Sequence, residues 1–571
     1  LAEAFLLMEG YFVRTLGMHR VYNSAFMNML KNEENEKYKN TIKNTINFEP
    51  EILKRFVNFM SNPDEETAVD QFGDGDKYFG VCTMMVTMPG LPMFGHGQIE
   101  GYHEKYGMEY RRAYWDERPN DSLVKEHYHR IFPLMKKRYL FANSEHFRLY
   151  DLYCENGEID HNVFVYTNRY RHETALVIYN NAYHSVTGWA QMSAPYAQKD
   201  DQGRKSVQRC TLSDCIGISR EPNSFTIFRE QRSGLWYIRE NRRVLQKGMF
   251  IELNGYESQV YLDFHQVVDR DGLYRKLFED LNGRGVYDIE HHKKRLLLQP
   301  IHKAFGRFMQ GPLITPIRQA LLQGGGVQQV SFEDYWSYYD DFLDECLLLG
   351  YGTEGRKNGA LSRFQKNLDV IKRLSMLSYP NIRPHQPDQA GYYYRGLNIM
   401  PEAPLILLAW LLISPLDEFC KDDDRYLRGA DMADDTMLPE QFAQPLKNER
   451  IPERFHPHIY ELMLAVSSQS HWTAEKDYAQ VSRTELLEAL IREPYSARLL
   501  RIHWDGDVEW YHGESMQEFI WWLNTLAILD QVEAGQSLPQ TDGFFSMITE
   551  WIEAEELAEY KVRNLLELQR T

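Results

Sequence analysis

Carboxylates and imidazoles crowd residues 55–110 of this 571-residue chain, where Asp64, Glu65, Asp70, Asp74, Asp76, His96, Glu100, His103 and Glu104 lie close together in sequence. Groups of these types could bind a metal ion, move protons or hold a positive charge. The loop Asp70-Gln71-Phe72-Gly73-Asp74-Gly75-Asp76 invites a calcium reading, but it lacks the alternating ligands and the closing bidentate Glu of an EF-hand loop. It reads as a polar turn leading into a helix. His96, Glu100, His103 and Glu104 match no common metal-ligand spacing, so no metal is expected there. The carboxylates that remain, Asp64 and Glu65, close a short apolar run over 56–60. A helix-length apolar run over 78–88 follows, stopped by Pro89-Gly90, and a second short run over 91–94 ends in Gly95-His96-Gly97-Gln98. Strand, carboxylate, helix, strand, polar loop is the repeat of a parallel barrel, whose working groups sit at the C-terminal ends of its strands.

Three motifs carry a resemblance. Leu1-Ala2-Glu3-Ala4-Phe5, Asn62-Pro63-Asp64-Glu65 and Pro89-Gly90-Leu91-Pro92-Met93-Phe94-Gly95-His96-Gly97-Gln98 resemble, in order and spacing, motifs of the alpha-amylase family of glycoside hydrolases. The likeness covers residues 1–140 well and the next hundred more loosely. It implies that Glu3 ends the fifth strand of a (β/α)8 TIM barrel as the general acid/base, and that Asp64 ends the seventh and stabilises the transition state. Asn62 and Glu65 become the substrate-binding neighbours. The implied substrate is an oligosaccharide or polysaccharide, an alpha-glucan, cleaved with retention by hydrolysis or by transfer. Retention needs two carboxyl groups about 5–5.5 Å apart, one attacking the anomeric carbon and one protonating the leaving oxygen. An apolar pocket, for which Phe5 and Leu6 are candidates, would raise the acid's pKa. For Asp64 the competing reading is a helix N-cap.

Two departures follow. The family has a His before the stabilising Asp, and here stands Pro63, which has no side-chain donor. The family's nucleophile closes the fourth strand, upstream of the Glu that is here the third residue. The expectation is therefore the C-terminal half of a barrel, inactive alone, whose partner is the upstream half of the same polypeptide. The competing expectation is a non-catalytic relative that binds carbohydrate or another protein. No cofactor is implied.

Composition narrows the rest. A formal net charge of −18 argues against nucleic acid or an anionic membrane as partner, and the aliphatic run over 405–413 between prolines is too short to span a bilayer and reads as a buried helix. With 43% hydrophobic residues and a mean hydropathy of −0.53 the chain is globular. Six scattered cysteines read as free thiols of a reducing compartment, although Cys210 and Cys215 are close enough to bridge.

The elements expected around the motifs are multidomain α/β, then β, then α. Residues 1–140 form the half barrel. Within them 32–47 is a solvated outer helix, and 123–140 is the last barrel helix, with Ile131, Leu134, Met135 and Leu140 facing inward and Pro133 as a kink. Residues 141–265 change to short β-branched and aromatic runs, an antiparallel β-sandwich. Residues 266–326 are a helical connector ending at Gly324-Gly325-Gly326, and 327–571 a large α-helical domain. Capping boxes at Ser331/Asp334 and Ser515/Glu518 precede two of its stripes.

Overall fold

A computed structural model describes residues 2–3, 9–105, 112–200, 202–309, 313–314, 317, 333–376, 389–470, 472–473, 482–535 and 543–568. The backbone divides into two compact units, Leu1–Leu296 and Leu297–Thr571, so the segment expected as a connector contributes to both. Gly324-Gly325-Gly326 and Ser331 lie outside the described residues.

In the first unit, β1 (Val21–Tyr22), β2 (Phe56–Phe59) and β3 (Leu91–Met93) form a parallel sheet in chain order, and Ala2 adds a parallel bridge to Val21. Helices link successive strands, as parallel pairing requires. Asn23 ends β1 sooner than the apolar pattern suggests. Its Oδ1 accepts the Phe26 amide and caps helix Ser24–Lys31, while its Nδ2 donates to Asn58 Oδ1 across to β2. Helix Asp76–Thr87 follows β2, and the turn out of it is forced at Gly90. There φ is +110° and a Cβ would meet the Phe56 carbonyl oxygen at 2.4 Å. Arg138 donates to the carbonyls of Val86, Met88 and Gly90, satisfying the end of the helix and the turn together.

The second layer is antiparallel. Eight antiparallel strands form one hydrogen-bonded sheet in the order β11-β10-β13-β6-β5-β4-β7-β12. These are β4 (Arg148–Tyr153), β5 (Ile159–Tyr170), β6 (Glu173–Asn180), β7 (Val186–Ser193), β10 (Ser224–Glu230), β11 (Trp236–Glu240), β12 (Met249–Leu253) and β13 (Ser258–Val268), with β8 (Tyr196–Lys199) and β9 (Lys205–Gln208) as a separate hairpin. Alternate residues of β5 and β6 feed two cores. Phe164, Tyr166, Val177 and Tyr179 join the core shared with the parallel layer, while Val163, Val165, Leu176 and Ile178 join a second core on the other face. The continuous apolar reading of these strands is thus real, but the layer they meet on the first face is helical rather than a second sheet. Gly80 shows how close that packing is: a Cβ there would meet the Tyr179 ring at 1.9 Å.

The helix expected to be solvated, Asn35–Phe48, is one of these packed helices. Tyr38, Lys39, Ile42 and Ile46 are buried on one face. Lys39 is 0% exposed, donates from Nζ to the carbonyls of Val163 and Asp160, and burial pushes its pKa down to about 8. Cys210 and Cys215 are joined in a disulfide, correcting the free-thiol reading for that pair, while Cys82, Cys154, Cys346 and Cys420 are free.

The second unit is helical over nearly all its described residues. Helix Ala403–Ile413 is buried at every position. Tyr339 stacks on Phe364 at 4.3 Å and donates to the Leu412 carbonyl, which ties three helices of that core together. The helix expected to be capped by Ser515 begins at Gly513 instead, with His512 as its N-cap.

Candidate active site

The parallel register defines one edge. Ala2 bridges Val21, Tyr22 pairs with Val57, and Val57 pairs with Leu91. Glu3, Asn23, the 61–66 turn and Gly95-His96-Gly97-Gln98 all follow the carboxyl ends of these segments. In parallel α/β sheets this is the edge where loops carry polar chemistry.

Glu3 leaves the sheet directly after the Ala2 bridge and is exposed. Phe5 and Leu6, the apolar neighbours expected to surround it, lie outside the described residues. Glu9 falls within helix Glu9–Arg14, beyond the strand end.

The Asn62–Glu65 turn is built by its own side chains. Asn62 is 8% exposed, and its Oδ1 accepts the amides of Asp64 at 3.0 Å and Glu65 at 2.9 Å. This is an Asx turn, a local structure the sequence dictates because the Asn carboxamide reaches its own backbone. One consequence is that Asn62 Oδ1 is spent on the backbone. Another is that Asp64 caps no helix: Thr67 caps the next one, Ala68–Phe72, through the Asp70 amide. Asp64 projects into solvent, Glu65 is half-buried, and Lys105 Nζ donates to the Asp64 carbonyl at 2.6 Å. Pro63 is exposed at the crest of the turn.

The end of β3 is organised by Gln98, the last residue of its motif, with Tyr78 and His127, which the motif reading did not single out. Gln98 Oε1 accepts the Gly95 amide, closing the loop on itself. Tyr78, from helix Asp76–Thr87, gives its hydroxyl proton to the Gln98 carbonyl at 2.7 Å. That leaves His127 Nε2, 2.9 Å from the same hydroxyl, as the donor to it. The imidazole is 0% exposed, ringed by Tyr78, Phe79, Phe94 and Phe132, and burial pushes its pKa down to about 4. Beneath the edge, the buried Asn23–Asn58 pair continues to the Pro89 carbonyl. Asn58, a polar residue inside the apolar run Phe56-Val57-Asn58-Phe59, was the one sequence signal for this layer.

The outer rim is a set of carboxylate clamps. His103 Nδ1 lies 2.6 Å from Asp70 Oδ1, Glu117 accepts the amides of His103 and Glu104, and Glu104 accepts those of Tyr114 and Trp115. Asp70, His103 and Glu104, weighed above as metal ligands, thus have protein partners here. Tyr114 and Trp115 are exposed on this rim.

No family model matches the chain, and no curated protein matches it. Among solved structures, an alpha-amylase from Geobacillus thermoleovorans complexed with acarbose is similar at 14% identity, over 46% of this chain and 52% of that one, with a TM-score of 0.30. An Anoxybacillus alpha-amylase is similar at 12% identity, over 46% and 51%, with a TM-score of 0.31. An alpha-amylase from H. orenii is similar at 13% identity, over 46% and 52%, with a TM-score of 0.28. The chain spans about half the length of these structures.

Proposed function

We propose that this chain carries part of the active-site edge of a glycoside hydrolase or transglycosylase that acts on alpha-glucosidic bonds with retention. In this reading Glu3 is the acid/base, and Asp64 stays ionised and stabilises the oxocarbenium-like charge. Asn62 and Glu65 contact the sugar, and the substrate is an alpha-glucan oligosaccharide or polysaccharide. The observation that carries it is the parallel register: a carboxyl follows the Ala2 bridge and another follows β2, so both leave the sheet from one edge. A charge held at that edge before the reaction contributes mainly in the transition state.

The roles separate in kinetics on the intact native protein. Glu3→Gln should lower turnover of substrates with poor leaving groups by roughly 10²–10⁴-fold, the usual worth of general acid catalysis, and spare an activated aryl glucoside. Added azide should then rescue the second step. Asp64→Asn should slow both substrates alike. Equal losses for Glu3→Gln on the two substrates, without azide rescue, would remove Glu3 from the role.

A second reading is a non-catalytic carbohydrate- or protein-binding relative. The exposure of Glu3 and Asp64 favours it, as does the commitment of Asn62 Oδ1 to its own turn. Binding of a maltooligosaccharide by the intact protein with no turnover under any condition would decide for it.

A further inference from the structure

A cleft in the first unit lies where the helices after β3 meet the β10 hairpin, and its volume is about 490 Å³. The sequence explains its construction. Pro133 has no amide proton, so it cannot donate to the His129 carbonyl four residues back. Residues His127–Ile131 form a π-helical turn, closed by the Phe132 amide on the His127 carbonyl. Turns of this kind inside helices recur at functional sites. The His129 carbonyl accepts from Gln231 Nε2 at 2.9 Å, which docks the turn between β10 and β11 onto the helix. Glu230 fixes that turn by accepting the amides of Arg232 and Ser233.

This docking brings cations together. Arg130, Lys137, Arg229 and Arg232 line the cleft, with His129 beside them and Glu126 as the one carboxylate of the lining. In a chain of net charge −18 such a lining is not what composition alone would produce. The other carboxylates are not among the lining residues. Asp263 takes Arg229 at 2.7 Å, Glu173 takes Lys137 at 2.7 Å, and Asp76 Oδ1 is shared between Arg130 at 3.2 Å and Arg232 at 3.8 Å. Glu126 reaches Arg130 only at 3.7 Å. The Arg130 side chain is 6% exposed and lies over the Phe79 ring, and burial together with the neighbouring Arg232 guanidinium holds it below the usual guanidinium range. A guanidinium has five N–H donors, and Arg130 and Arg229 each direct two at one carboxylate oxygen.

We propose that this cleft binds a phosphate group, either as the free ion or as part of a phosphorylated sugar. Phosphate oxygens fit the planar N–H fork of a guanidinium, and charge-assisted hydrogen bonds between them are among the strong ones. The proposal is independent of any activity at the parallel-sheet edge.

The test is calorimetric titration of the purified chain with inorganic phosphate and, separately, with a phosphorylated hexose, at ionic strength held constant with sodium chloride. Saturable binding is expected, weakened about tenfold or more in Arg232→Ala and in Arg229→Ala, since each loses a hydrogen bond to a charged group. Both side chains are partly exposed, so the variants should fold, which circular dichroism checks. Tighter binding of the phosphorylated hexose than of phosphate assigns a phosphorylated metabolite, and equal binding assigns the free ion. No saturable heat with either probe overturns the proposal, as does binding unchanged in both variants. Turnover is not a readout, so this outcome and the glycosidase reading fail separately.

Discussion

β2 and β3 are neighbours in the same parallel sheet, and their carboxyl ends are held by different means. After β2 the turn is built by its own side chain: Asn62 accepts two amides within three residues, and Lys105 adds one donor to the Asp64 carbonyl from outside. After β3 the chain is held from outside, because Gln98 depends on Tyr78 twenty residues back and, through it, on His127 twenty-nine residues ahead. The first arrangement leaves Asp64 in solvent, and the second seals an imidazole in an aromatic ring of neighbours. A loop tied to its own backbone can present a charge freely. A loop tied to the core inherits the stability and the pH sensitivity of that core.

The largest expected difference between the two ends is in acid. His127 has a folded pKa of about 4 against an ordinary value of 6.5, so as pH falls the unfolded chain takes up the proton first. Stability that is complete above pH 6.5 should be lost progressively down to about pH 4, by about 3 kcal/mol. Urea unfolding of the chain and of His127→Gln should show that acid limb in the former and its absence in the latter. Parallel pH curves would mean that the β3 end is not anchored through the imidazole.

A smaller loss is expected at β2. Asn62→Ala removes the acceptor of two amides and should cost about 1 kcal/mol, with no pH dependence between 4 and 7. If Asn62→Ala weakens or shifts the acid limb that His127 confers, the two ends are coupled and the contrast between them fails. The smallest effect belongs to Asp64→Asn, which should change unfolding stability by less than about 0.5 kcal/mol because the side chain is exposed. A destabilisation well beyond that would reveal a structural partner for Asp64 and weaken its assignment to chemistry.

Some of this was written in local spacing. The run of strand, carboxylate, helix and strand over 56–94, the stop at Pro89-Gly90, the apolar stripes at Tyr335, Tyr339, Phe342 and Cys346, and the break at Pro133 each depend on residues a few positions apart. Such features survive translation into structure because a side chain that caps its own backbone, or a proline that lacks an amide proton, acts whatever lies around it. For Asp64 the sequence offered a helix cap or a charge-stabilising carboxylate, and the first falls because Thr67 caps the next helix and Asn62 builds the turn.

Other features only the tertiary structure decided, and in each the deciding partner is far along the chain. Lys39 lies in a polar stretch that reads as solvated, yet it is buried because the Val163 carbonyl, 124 residues on, accepts its proton. The strands over 148–268 pair into one hydrogen-bonded sheet whose β5 and β6 face is covered by helices that lie far from it in sequence. Arg130 and Arg232 are ordinary surface cations by sequence, and they become one cleft because the His129 carbonyl accepts from Gln231, 102 residues away. Periodicity and turn chemistry are short-range and can be read from the chain. Burial, and the shift in proton affinity that comes with it, depend on which distant surfaces meet.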